Sequence, residues 1–366
     1  MPSRDIPGVE EGQGSRNIEG VATSIAGFVG LAKDGPVREA VLITNFDEFK
    51  EKFGDYWASG QLAYSVAGFF ENGGHRCYIV RVNEADEEIT NKHYIVGLRA
   101  LDKIDDVSII AIPDAGGIVA VIKAGIAYCE KRKYCFFIAD APMEKETTDI
   151  ISFIKDNTIN SSYAAIYYPN IYVKDPLTDD QKLIYPSGHI AGCYAKTDSE
   201  RGVWKAPAGR ERKLIGAVEL EQDITQEDQG SLNPIGVNVI RKFEEVGIVV
   251  WGGRTLAPES EWKYVNVRRF INYVEHSVSR GTQWVIFEPN DEPLWAQLRM
   301  TINAFLEELF RLGALQGARP QEAYFVKCDS ENNTHPEEGK VNIEIGLAVL
   351  RPAEFLITKI TQRAGK

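Results

Sequence analysis

A chain of 366 residues with 44% hydrophobic and 26% charged content is long enough for two or three cored domains of ordinary globular type. A formal net charge of −12 disfavours sequence-independent nucleic-acid binding, which relies on Lys and Arg to neutralise phosphates, and favours solubility or a basic partner surface. No apolar run approaches the roughly 20 residues of a membrane span, and no secretory apolar core follows Met1-Pro2-Ser3-Arg4-Asp5, so synthesis and folding in the cytoplasm are expected. Cys77, Cys129, Cys135, Cys193 and Cys328 are scattered without a C-x-x-C, a pattern of free thiols rather than of a disulfide framework.

Residues 1–20 are rich in glycine and charge (Gly8, Gly12, Gly14, Gly20) and read as an extended arm that a partner would order. Gly20 to Leu31 reads as a strand, and Gly35-Pro36 as a turn. Phe46 to Phe53 is a short amphipathic helix with Asn45 as its cap and Gly54 as its stop. Leu62 to Phe70 fits a more buried helix, and Cys77 to Val82 a buried strand.

From about Ile95 to Val250 strands and helices alternate. Val107–Ile112, Tyr134–Asp140 and Tyr163–Tyr168 are apolar strands, and Ile118–Glu130 and Ile150–Lys155 are the helices between them. Such alternation implies a parallel sheet covered by helices, an α/β fold. After Val250 the chain turns α+β: Tyr264 to Ser279 is helical, and Thr282 to Phe287 is predicted as a strand. Leu294 to Leu312 is the strongest helix, with Leu294, Leu298, Ile302, Phe305, Leu306 and Leu309 on one apolar face and Gly313 as stop. Val341, Ile343 and Ile345 alternate with polar residues and the run continues through Val349. Pro352 then marks a corner before Phe355–Ile360 resumes β-type residues. A terminal strand with an open edge aggregates unless something pairs with it, so either the same subunit or a neighbour covers it.

Candidate chemistry is sparse. Val21–Ala26 is superficially similar to the nucleophile segment of subtilisin-type proteases, yet Ser24 precedes every histidine, and small residues of a packed strand explain the segment better. Pro186-Ser187-Gly188-His189 reads as a turn in which Ser187 and His189 do not meet productively. His75, His93, His276 and His335 form no H-x-x-x-H, and no phosphate-binding glycine loop is present, so neither a metal nor a cofactor is expected. Asp140, Asp198 and Glu288 lie at expected strand ends or loops, where capping or salt bridging outweighs catalysis.

Several motifs become specific together. Ile6-Pro7-Gly8-Val9, Ile18-Glu19-Gly20-Val21-Ala22-Thr23 and Phe28-Val29-Gly30 open the series. Pro186-Ser187-Gly188, Thr197-Asp198 and Arg201–Ala208 follow, then Asn233–Asn238, Trp251–Leu256, Val267-Arg268-Arg269, Phe287–Asn290 and Arg351–Phe355. This ordered set resembles the contractile tail sheath proteins across nearly the whole chain. The resemblance implies a non-enzymatic structural subunit of a phage tail or related injection particle, stacked in rings as a helical sleeve that contracts around an inner tube. It implies a subtilisin-like α/β middle domain, named for its fold, with an α+β C-terminal sheath domain and extended arms at both ends.

The expected division is an N-terminal arm at 1–20, an α+β part at 21–94 packing with the C-terminal domain, the subtilisin-like domain at 95–250, the sheath domain at 251–354 and a linking strand at 355–366. The resemblance assigns inter-subunit strand exchange to Pro7, Gly8, Val9 and Ile18 at one end and Phe355, Leu356, Ile357 and Ile360 at the other. Gly12, Gly14, Gly20 and Pro352 are the expected hinges. Arg299, Glu307, Glu308 and Arg311, off the apolar stripe of the long helix, are candidate contacts to the tube. The implied partners are other copies of the chain, the inner tube protein, and baseplate and terminator proteins, with neither nucleic acid nor membrane insertion. The arm is shorter here than in the family, because Val9 runs straight into Glu10-Glu11-Gly12 without the usual aromatic. Two rival readings are a closed-ring tube or baseplate component, and a hydrolase using Ser24 or His189.

Overall fold

Secondary structure follows the apolar periodicity through most of the chain. A computed structural model describes residues 17–84 and 88–354. They form two compact units: residues 21–273 with 350–354, called the body here, and residues 17–20 with 274–349, the smaller unit.

The body opens with β1 (Ala26–Gly30), β2 (Ala40–Ile43), α1 (Phe46–Phe53), α2 (Leu62–Glu71) and β3 (Cys77–Arg81). It continues with α3 (Asn91–Arg99), β4 (Ile109–Ala111), α4 (Val119–Arg132), β5 (Phe136–Asp140), α5 (Thr147–Asp156) and β6 (Ala164–Tyr168). A small antiparallel excursion, β7 (Ile171–Lys174) and β8 (Gln181–Ile184), precedes α6 (Ser187–Arg201), and β9 (Ala217–Leu220) returns to it. The last body elements are α7 (Gln226–Leu232), β10 (Val237–Phe243), β11 (Gly247–Val250) and the first part of α8 (Val265–Gly281). Among the described residues the large sheet runs β11-β10-β6-β5-β4-β1-β3-β2, parallel from β10 to β3 and antiparallel at both edges.

Alternate residues of each central strand feed opposite apolar layers, as a sheet buried on both faces requires. Phe28, Ala111, Phe136, Ile138 and Tyr167 pack under α1, α2 and α6. Val29, Ile110, Phe137, Ala139 and Ile166 pack under α3, α4, α5 and α7. The α2–α6 contact is close because three glycines line it. A Cβ on Gly188 would sit 2.2 Å from Ser65 O, and one on Gly192 2.5 Å from Phe69 O. On Gly68 a Cβ would lie 2.2 Å from the His189 ring.

The smaller unit contains α9 (Glu292–Arg311), α10 (Pro320–Ala323), β12 (Tyr324–Lys327) and β13 (Glu344–Leu347), the two strands pairing antiparallel. Leu294, Leu298, Ile302, Phe305, Leu306 and Leu309 are buried along α9, as its period predicts. Asp291 caps the helix by accepting the Leu294 N–H.

Several expectations are corrected. The 21–94 part is not separate from the α/β region, because β1, β2 and β3 belong to the same sheet as β4–β6. Residues 251–273 fall in the same compact unit as the large sheet. Thr282–Phe287 is not a strand: Gln283–Val285 is a 3-10 turn whose Trp284 and Val285 pack on Leu294, Trp295 and Leu298. A short apolar run does not by itself distinguish these outcomes. The Val341–Val349 run yields only the four residues of β13. Ser187 to His189 is the first turn of α6 rather than a loop, and Asp198 lies within the same helix. Pro7, Gly8, Val9, Gly12, Gly14, Phe355, Leu356, Ile357 and Ile360 lie outside the described residues.

Candidate functional site: the anchoring of residues 350–354

In doubly wound sheets, ligands bind at the carboxyl ends of the strands where the strand order reverses, here between β1 and β4. That place is closed by the fold's own backbone. The half-buried Asp114 carboxylate accepts the Leu31 N–H at 2.7 Å and the Gln61 N–H at 2.5 Å. Burial pushes its pKa up to about 6 against these two hydrogen bonds. A Cβ on Gly30 would stand 2.3 Å from the same carboxylate, so nothing larger than glycine passes there.

The residues of a hydrolase are not brought together. Ser24 precedes β1, at the amino ends of the parallel strands, whereas α6 starts at their carboxyl ends, where Asp140 of β5 accepts the Ser187 N–H at 2.9 Å. Asp140 therefore caps a helix, and burial pushes its pKa up to about 7. His189 is buried in the α2–α6 contact and burial pushes it down to about 4. Among the described residues no group of three or more His, Cys, Asp or Glu stands where it could hold a metal ion. Among them, too, no helix is long and apolar enough to cross a membrane. All five cysteines are buried free thiols.

What the structure does bring together are residues far apart in sequence, at one buried and one partly buried ion pair. Arg269 of α8 binds Asp198 of α6 through both guanidinium nitrogens, at 2.9 and 2.6 Å, and donates to Thr23 O at 2.8 Å. Both side chains are at most 3% exposed. Burial raises the Asp198 pKa, and Arg269 acts against that rise. This pair ties the segment before β1 to two helices.

The second pair fixes residues 350–354, the last of the described chain. Arg254 donates from Nε to Glu354 Oε1 at 2.7 Å and from Nη2 to Oε2 at 2.6 Å, a bidentate pair, and from Nη1 to Asn233 O at 2.8 Å. Tyr264 adds its hydroxyl to Glu354 Oε2 at 3.1 Å. Asn238 holds the Arg254 backbone from both sides, donating to its carbonyl and accepting its N–H, each at 2.7 Å. Asn266 donates to Leu350 O at 3.0 Å and to Trp204 O at 2.8 Å. Burial pulls the Glu354 pKa upward, but the Arg254 hydrogen bonds and charge outweigh it, and the carboxyl stays below its usual range. Arg254, Tyr264 and Asn266 therefore meet on residues 350–354, with Asn233, Asn238 and Trp204 bonded behind them. The sequence offered one signal for this, a lone arginine inside the apolar and glycine-rich stretch Trp251–Leu256.

In the smaller unit the expected residues divide. Ile18 is 6% exposed and lies over Gly281. Gly20 is exposed, and Pro352, which belongs to the body, is half-buried. Arg299 points into its own unit, donating to Cys328 O and to Glu292 Oε1 at 2.7 Å. Glu307 accepts the Tyr324 hydroxyl at 3.0 Å, while Glu308 and Arg311 are exposed on α9.

The body is thus an α/β unit in which residues far apart in sequence converge on residues 350–354. Residues 87–256 match the family described as Phage tail sheath protein central domain, and residues 257–363 the Phage tail sheath C-terminal domain. The fold is similar to the helical sheath of the anti-feeding prophage in its contracted state, with TM-score 0.83 and 31% identity over 99% of this chain and 100% of that one. It is equally similar to the contracted sheath of the extracellular contractile injection system PVC, with TM-score 0.83, 30% identity and 99% of each chain covered. The tail sheath protein of Vibrio phage KVP40 is 31% identical over 183 residues, 49% of this chain. That match spans only 26% of the length of the phage protein. The chain belongs to the tail sheath protein family.

Proposed function

We propose that the protein is the repeating subunit of a contractile sleeve around an inner tube, with both chain ends serving as links between copies. The observation that carries this reading is the fixing of residues 350–354 by Arg254, Tyr264 and Asn266. A tether that transmits load between bodies needs a rigid root, and a bidentate, partly buried arginine pair provides one. The two-stranded β12–β13 sheet offers strand edges that are unpaired among the described residues, a place where an incoming strand adds by main-chain hydrogen bonds. The body corresponds on this reading to the subtilisin-like domain of the family. Glu308 and Arg311 of α9 are the remaining candidates for tube contact, with baseplate and terminator proteins at the ends of the sleeve. The particle is then a phage tail or an injection machine, with no catalytic step in its subunit.

Contraction follows as a change of packing between bodies whose tethers stay attached, small gains per copy adding along the sleeve. Removing residues 355–366 tests the reading. The expected product is a folded monomer that forms no sleeves by electron microscopy or sedimentation. Sleeves of normal length after this truncation overturn the linking role, and closed rings of fixed size from the intact chain assign it to a ring component instead.

A further inference from the structure

The smaller unit presents an apolar knob. Ile286 is 65% exposed and Phe287 is fully exposed, directly after the 3-10 turn Gln283–Val285. Phe287 has φ of 75°, a left-handed conformation that a bulky side chain avoids. The flanks hold it there. Thr282 Oγ1 donates to Val278 O at 2.8 Å on one side. On the other, Asn290 accepts the Trp295 indole N–H at 2.9 Å and donates to the Pro336 and Lys340 carbonyls, both at 2.9 Å. An aromatic ring kept in a strained and fully exposed position by rigid flanks points to recognition.

The body carries a matching hole. Between α3 and α4 lies an open groove of about 470 Å³, floored by Ile95, Leu98, Ala124, Ala127, Tyr128 and Tyr134. Arg99, Lys131 and Arg132 line it together with a single acid, Asp102. The knob is followed at once by the exposed Glu288. Apolar ring and acid on one surface therefore face apolar floor and basic rim on another.

We propose that Phe287 of one copy seats in the α3–α4 groove of a second copy, with Glu288 against Lys131 and Arg99. The inference rests on the sleeve reading and gives it a specific contact between copies. Knob and hole are different surfaces, so the contact is heterologous and repeats along an open assembly instead of closing a dimer.

The test uses the full-length chain. One tagged population carries Ile286→Cys and a differently tagged one carries Ala127→Cys; the native thiols are all buried, so mild oxidation reports the introduced pair. Cross-links joining the two tags are expected. The protein concentration needed for assembly should rise roughly tenfold or more in Phe287→Ala, as for a central aromatic anchor. Glu288→Lys should weaken assembly, and adding Lys131→Glu to it should restore assembly. Sleeves that form at unshifted concentration without inter-tag cross-links overturn the knob contact and leave the sleeve reading standing. Failure of the unmodified chain to associate at any concentration overturns both. Intact sleeves that no longer retain the inner tube in Phe287→Ala assign the knob to the tube and overturn the contact between copies.

Discussion

The body and the smaller unit solve the same stability problem differently. The body buries two apolar layers and, inside them, charges such as Asp198 with Arg269 that are satisfied only by residues far away in sequence. The smaller unit relies on one long helix with a small cluster around Trp295, and it leaves Ile286, Phe287, Met300, Leu312 and Phe325 exposed. The lesson is a division of labour. Polar pairs inside the body make its geometry singular, whereas apolar side chains outside the smaller unit leave it surfaces to share.

Breaking the buried pair should give the largest effect. Asp198→Ala leaves the Arg269 guanidinium uncompensated and should cost the body about 3–5 kcal/mol, read by urea unfolding. The double variant Asp198→Leu with Arg269→Leu should lose much less. An equal loss would mean that packing, not charge, holds the helices there.

Leu298→Ala attacks the other side of the comparison. Leu298 is fully buried in α9, and its truncation should cost about 2–5 kcal/mol. Hydrogen exchange should show the loss in α9 and β12 while β4, β5 and β6 keep their protection. Uniform loss of protection would show that the two units unfold as one.

The gentlest probe is pH. Asp140 is held at about 7 in the fold, against about 4 for an unfolded aspartate. The folded state thus binds the extra proton, so this group's contribution is complete below about pH 4 and is lost as pH rises toward about 7. Glu354 has the opposite sign. Its depressed pKa stabilises the anchoring of residues 350–354 above the ordinary carboxylate range, and that support is lost as the solution is acidified. Body stability measured from pH 4 to 7 should fall less steeply in Asp140→Asn, and an unchanged slope would remove Asp140 from this account.

Much of the fold was legible in the residues. Asn45 accepts the Glu48 N–H and Gly54 ends α1 with φ of 83°, as the local sequence predicts. The central strands and α9 follow periodicity that a window of a dozen residues contains. Thr282–Phe287 was misread because its apolar residues satisfy a strand pattern equally well, and only the cluster with Leu294 and Trp295 decides for a turn. The closing of the sheet's crevice by Asp114 and the burial of Ile18 over Gly281 were equally illegible.

By itself the sequence determined the alternating α/β architecture, the long amphipathic helix and the resemblance carried by its ordered motifs. Which motif residues touch was decided only in three dimensions. Arg254 and Glu354 are 100 positions apart, and Asp198 and Arg269 are 71 apart. Helix and strand patterns reach only over a few residues, whereas a charge inside a protein is stabilised by whichever opposite charge the folded chain carries to it.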